Sequence, residues 1–294
     1  MTEFLSYLIP GIMTGFIYAL IALGFVLIYK CSGVLNLAQG ELVIIGAYVF
    51  YALRGQMGFP LSVSILGTIV SAIVLGLLVE RLVIRPLIGQ PILAVILVTL
   101  AIAVILRGLM IMIWGPATLS LPRLFPVGGI NLVGISISYE HLFFAIVSVV
   151  LFGILFLFFR YAITGLRMMA VADDQQAAQS VGIRVSTVMA MAWAIAAIVS
   201  SVGGILLTSI IGVHYSATGV GLRAIAVVLA GGLQSVGGVL VAGPLIGAIE
   251  SVAAGYLDPL VGGGVSDVAA YAVLILVLIV RPFGLFGWKK IERV

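Results

Sequence analysis

From Phe4 to Tyr29 the chain carries no charged side chain. A run of that length crosses a lipid bilayer with some tilt, because about 20 apolar residues span the hydrocarbon core. The feature recurs along the sequence. Gly55–Val79, Pro86–Leu106 and His141–Phe159 lack acidic and basic groups, and between Lys30 and Arg54 only Glu41 interrupts. Val185–Leu222 is too long for one crossing, and the polar patch from His214 to Gly219 predicts that its helix ends near Ile211. The last clean run, Val268–Val280, is short, but Tyr271 and Arg281 suit interfacial positions. A soluble domain is about 25% charged. This chain of 294 residues is 8% charged and 63% hydrophobic, with a mean hydropathy of +1.36. The sequence therefore predicts an all-α polytopic membrane protein, with about eight or nine membrane segments at the usual span length.

The scarcity of functional groups excludes several chemistries. One cysteine, Cys31, cannot build a disulfide framework within one copy. His141 and His214 lack the spacing of a zinc hydrolase, so neither a metal site nor a catalytic site is expected. None of Lys30, Lys289 and Lys290 sits in a phosphate-binding loop, so if ATP drives this protein another chain must bind it. The net charge of +4 is spread thinly and does not point to nucleic acid. Residues 1–294 read as one transmembrane domain in contact with lipid, and Met1-Thr2-Glu3 lacks the basic start of a cleaved leader.

Charge sorts the links between spans. Glu80–Gln90 carries Arg81 and Arg85; Arg160–Arg184 carries Arg160, Arg167 and Arg184; the tail carries Arg281, Lys289, Lys290 and Arg293. The opposite links, 114–140 and 258–266, hold only Arg123. Cytoplasmic loops concentrate Lys and Arg, which places the C-terminus in the cytoplasm and the N-terminus outside. Arg54 and Arg223 run against this trend. Residues 223–257 must enter and return, and their glycines fit either two short crossings or a re-entrant hairpin.

Polar groups inside apolar segments are the candidates for function, since an ionisable residue at membrane depth is costly without a partner. Asn36, Gln39 and Glu41 open the second span, and Gln234, Ser235 and Glu250 lie in the glycine-rich 223–257 stretch. These six are the candidate solute path. The competing reading has Glu41 at the cytoplasmic interface, paired with Lys30 or water. Arg107, seven residues before Trp114, is expected to snorkel to the outer interface in a structural role. Small residues repeat every four positions at Gly11, Gly15 and Ala19, and again at Gly243, Gly247, Ser251 and Gly255. Such stripes let helices pack closely, within one subunit or between two.

The longest cytoplasmic link, within 160–186, carries the most specific signal. Ala170 to Gln179 is strong helix-forming sequence, with Asp173 and Asp174 near its start and Gly182 as its stop. A glycine-bounded helix across the inner face has the form of a docking element.

That link, from Gly165 to Ile183, resembles the coupling loop of ABC-importer permeases, in the branch that includes high-affinity branched-chain amino acid permeases. Gly33 to Glu41 with Gly46-Ala47-Tyr48 is similar to the branch's N-terminal signature. Val228 to Leu233, through Gly237-Gly238 and Gly243-Pro244 to Glu250, resembles its C-terminal one. Two positions depart from the pattern: Met169 stands where an arginine is common, with Arg167 nearby, and Gln176 where an acid is. The resemblance implies a permease in a bacterial inner membrane, with no cofactor of its own and ATP held by partner subunits. It implies a homologous second permease, two ATP-binding subunits and a soluble substrate-binding protein. It also implies that Gly165, Arg167, Ala170, Asp173, Asp174, Ala177, Ala178, Gly182 and Ile183 couple the ATPases to alternating access. The rival readings are an ion-coupled secondary transporter, which the shortage of acids disfavours, and a non-transporting membrane subunit.

Overall fold

A computed structural model of the chain describes residues 2–122, 124, 128–132 and 135–287. Arg123 and the basic positions Lys289, Lys290 and Arg293, used above to orient the chain, lie outside the described residues. Among the described residues the regular structure is helical, apart from one short hairpin and an isolated bridge between Leu119 and Val213. Its helices are α1 Thr2–Ser32, α2 Gln39–Tyr51, α3 Leu61–Val79, α4 Ile92–Trp114, α5 Tyr139–Tyr161, α6 Ile163–Asp173, α7 Gln175–Ser180, α8 Val185–Ile211, α9 Val220–Gly231, α10 Val236–Tyr256, α11 Asp258–Val261 and α12 Val265–Val280. Strand β1 Gly129–Leu132 pairs antiparallel with β2 Ile135–Ser138, Gly129 facing Ser138. Among the described residues six helical stretches are long and apolar enough to cross a membrane: α1, α3 with its continuation to Leu87, α4, α5, α8 and α10. Tyr215–Gly231 and Val265–Val280 are shorter apolar helices.

The chain forms two compact units interleaved in sequence, one of Met1–Val26, Leu124–Phe152 and Leu222–Val294, the other of Leu27–Arg123 and Gly153–Gly221. In the first, α1 packs on α10 through the two small-residue stripes. A Cβ on Gly247 would sit 2.6 Å from the Gly15 Cα, and one on Gly11 would sit 2.7 Å from the Gly247 carbonyl. Only glycine permits so close an approach, and the stripes therefore serve packing inside one chain. The Gly232–Ser235 turn joins α9 to α10, and the segment after α12 folds onto it: the Leu285 and Phe286 amides donate to the Ala230 and Gly231 carbonyls at 2.8 and 3.1 Å. Those carbonyls end α9 and have no partner within the helix.

In the second unit the packing reverses the pattern of a soluble protein. The buried positions of α3 are Ser64, Thr68, Ala72, Gly76 and Val79, whereas Leu66, Val70 and Val74 are exposed. Small groups face the neighbouring helix α8, where a Cβ on Gly76 would sit 2.7 Å from the Trp193 carbonyl. Large apolar groups face outward, as a lipid solvent favours. Helix α8 ends at Ile211, where the sequence placed it, with Gly212 at φ +82° turning the chain.

Candidate functional site

Three places in the two units gather polar or charged groups. The first is the break between α1 and α2. Gly33 at φ +70° ends α1, and residues 33–38 run without helix to Gln39. Asn36 organises the break: its Oδ1 accepts the Ala38 amide at 3.1 Å, and its Nδ2 donates to Gln39 Oε1 at 3.2 Å. Gln39 Nε2 donates in turn to Ser200 Oγ at 2.5 Å, and Ser200 back-bonds to the Ala196 carbonyl. Asn36, Gln39 and Glu41 are almost wholly buried. Such a polar chain survives at this depth because each group has a partner.

The break does not lie at the end of the neighbouring helix. Leu37 donates its amide to Thr99 Oγ1 at 3.2 Å. Thr99 is seven residues into α4, about 10 Å from its start. Further along, Arg107 Nη2 donates to Glu41 Oε1 at 2.6 Å, and Tyr48 stacks on Trp114 with ring centroids 4.9 Å apart. Three successive contacts in the same order along both segments make α2 and α4 parallel, with α2 beginning beside the middle of α4. Glu41 therefore pairs with Arg107, not with Lys30, whose ammonium lies 5.2 Å from the centre of the Phe159 ring. Arg107, expected as a free snorkelling group, is tied to an acid 66 positions away in sequence.

The second place, in the other unit, surrounds Glu250. Its Oε1 lies 3.1 Å from Arg223 Nε and accepts the Tyr18 hydroxyl at 3.5 Å, while Arg223 Nη2 also holds Asp267. Glu250 and Glu41 thus each have their own arginine, within their own unit. Gln234 is exposed in the turn before α10, and Ser235 caps that helix, its Oγ accepting the Gly238 amide at 3.0 Å. The Ser235 hydroxyl thereby satisfies an orphan amide of the helix start.

The third place is the link within 160–186, which differs from the expected single helix. The helix breaks at Asp174, whose extended backbone ends α6 and whose Oδ1 accepts the Gln176 and Ala177 amides at 2.8 and 3.0 Å to start α7. An aspartate cap competes with helix continuation, so the two acids close one helix and open the next. Gly182 stops α7 at φ +85°, as its position predicts. Gly165, Met168 and Val171 form the buried stripe of α6, and a Cβ on Gly165 would sit 2.8 Å from the Phe159 Cα. Ala178 is buried as well. Arg167, Asp173, Asp174, Ala177 and Gly182 are exposed, with Ala170 and Ile183 between. The exposed members form the face available to a partner, and Gly165 and Ala178 seat the element.

Six helical stretches long and apolar enough to cross a membrane, with arginine-paired acids set among the helices, define a multi-pass membrane protein. Residues 7–280 match the branched-chain amino acid transport system permease component family, and the chain belongs to that family. It is 30% identical to the high-affinity branched-chain amino acid transport system permease protein LivH of Escherichia coli K12, covering 99% of this chain and 98% of that protein. It is 29% identical to BraD of Pseudomonas aeruginosa, another high-affinity branched-chain amino acid permease protein, with 99% and 98% covered. A probable branched-chain amino acid permease of Methanocaldococcus jannaschii is 28% identical over 93% of this chain and 90% of its own. The fold is similar to that in a structure of PsaBC from Streptococcus pneumoniae in complex with Fab, with a TM-score of 0.50, 13% identity, and 95% of this chain and 94% of the other covered.

Proposed function

We propose that this chain is the transmembrane permease of an ATP-driven importer for branched-chain amino acids or a related small polar solute. It works by alternating access, paired with a second permease, driven by two separate ATP-binding subunits and loaded by a soluble binding protein. The observation that carries the reading is the helical link α6–α7 within a chain of this permease family. It is wedged in place by Gly165, Met168 and Val171 and presents Arg167, Asp173, Asp174 and Ala177 outward. A rigid element seated on the ends of spanning helices can act as a lever that biases a two-state membrane domain.

The topology that suits this work has nine crossings: α1, α2 with its continuation to Gln56, α3, α4, α5, α8, α9 with the turn before it, α10 and α12. An odd count puts the two termini on opposite sides, and with the basic links in the cytoplasm the C-terminus and the Gly232–Ser235 turn lie there too, the N-terminus outside. Contact between that turn and the segment after α12 supports a full return of the α9–α10 hairpin. Asn36, Gln39, Glu41 and Glu250 stand as path residues. Gln234 and Ser235 belong to the inner mouth.

The test is reconstitution. Uptake should require the ATPase subunits and stop under vanadate; uptake driven by an ion gradient without ATP overturns the reading. Ala177→Trp should leave the permease in the membrane and lower ATPase co-purification by about tenfold or more, a loss of at least about 1.4 kcal/mol of binding. Undiminished co-purification removes the docking role of α7.

A further inference from the structure

We propose that the face of α4 bearing Arg107 lines a water-filled route, and that Arg107 presents its unused guanidinium edge there to the carboxylate of the solute. The second half rests on the importer reading above; the first does not.

Depth comes first. Arg107 lies seven residues before the end of α4, about 10 Å inward of Trp114. Its head group cannot withdraw to the helix end, because Nη2 is held by Glu41 at 2.6 Å and the Glu41 side chain is only 3% exposed. Glu41 in turn sits in the first turn of α2, where the helix dipole favours a carboxylate and fixes it. The anchor is buried and stationary, so the arginine stays at depth.

Exposure comes second. The Arg107 side chain is 49% exposed, and among the described residues its guanidinium makes no hydrogen bond besides the one to Glu41. A guanidinium has five N–H donors and no acceptor. Left against lipid, the remaining donors would meet hydrocarbon, which is costly for a charged group at this depth. Against water or a polar solute they are satisfied. The Trp193 indole N–H, in a residue only 2% exposed beside Asn36 and Thr99 at a small, mainly apolar cavity, meets no acceptor among the described residues.

Charge comes third. The acid of the pair is buried and the base is open, so the pair is neutral overall but presents its positive edge outward. That edge matches a carboxylate, which a guanidinium fork can bind in two-point geometry.

Two experiments on the whole transporter in vesicles test the proposal, in a Cys31→Ala background. Val104 lies three residues before Arg107, shares its side of α4 and is 66% exposed; replacing it leaves the ion pair intact. Val104→Cys should react with a charged, membrane-impermeant methanethiosulfonate, supplied to both sides, about tenfold or more faster than Val150→Cys on α5, because a thiol ionises in water and not in apolar surroundings. Equal, slow rates at the two positions place the face in lipid and overturn the wet route. With leucine as probe, Arg107→Gln should abolish uptake. The double variant Glu41→Gln/Arg107→Gln removes both charges and spares the protein a buried unpaired acid. If Arg107 meets the solute, the double variant still raises KM about tenfold or more, the scale of a lost hydrogen-bonded contact, and Arg107→Lys recovers part of it. Full recovery in the double variant shows a structural pair and overturns the carboxylate role. Vanadate-sensitive uptake by the unaltered complex reports on the importer reading separately.

Discussion

Glu41 and Glu250 each pair with an arginine from another helix, and the two pairs are built in opposite ways. Around Glu250 one arginine is shared. Arg223 is held between Glu250 and Asp267, Tyr18 adds a hydroxyl, and the outer acid, Asp267, is 62% exposed. At Glu41 the acid is sealed, and its single arginine has donors to spare. The first arrangement ties α1, α9, α10 and α12 together and commits its cation to two acids. The second commits its cation to one. Arg223 is held by two acids, whereas Arg107 is held by one and its side chain is 49% exposed, so Arg107 is the better placed of the two to bind a further group.

Four measurements would break or sharpen that contrast. The largest effect should come from Arg223→Met, which strands Glu250 and Asp267 together. Removing one partner of a buried pair costs about 3–5 kcal/mol, and since Arg223 is 31% exposed the lower end applies, read as a fall in melting temperature in detergent. Gly247→Leu should come next. It forces a side chain into a seam with no room, and overpacking costs about 1–3 kcal/mol, visible as lost yield of folded protein. Third, Asp267→Asn should cost under about 1 kcal/mol, as exposed pairs do; a loss as large as that of Arg223→Met would show that the outer acid, not Glu250, is the anchor. The smallest effect concerns Asp258. Only partly exposed, so that desolvation pushes its carboxyl up, it is held below the ordinary carboxylate range by hydrogen bonds from Ser266 and Val265. A lowered pKa stabilises above the unfolded value and fails as pH falls through the folded one. Protection of the Val265 and Ser266 amides, measured as exchange relative to the free-peptide rate at the same pH, should accordingly hold at neutral pH and drop only in acid below the usual carboxylate range.

Local chemistry was well written in the sequence. The end of α8, the stop at Gly182 and the two small-residue stripes follow from single residues and their neighbours, and each appears where the pattern put it. Two features escaped because they depend on contacts distant in sequence. The depth of the α1–α2 break is fixed by Thr99 and Ser200, far along the chain from Leu37 and Gln39. The Glu41–Arg107 pair requires that α2 and α4 be known to run parallel. A third miss was local: Asp174 reads as a favourable charge near a helix start, yet its cap creates that start and splits one helix into two. The hairpin at 129–138 lacked any signal strong enough to separate it from a plain loop.

The fold-back after α12 carries a practical consequence. Because Leu285 and Phe286 stop the frayed end of α9, this stretch is a buckle and not a trailing end. Trimming the chain back to Arg281 would undo a helix that lies some fifty positions earlier in the sequence.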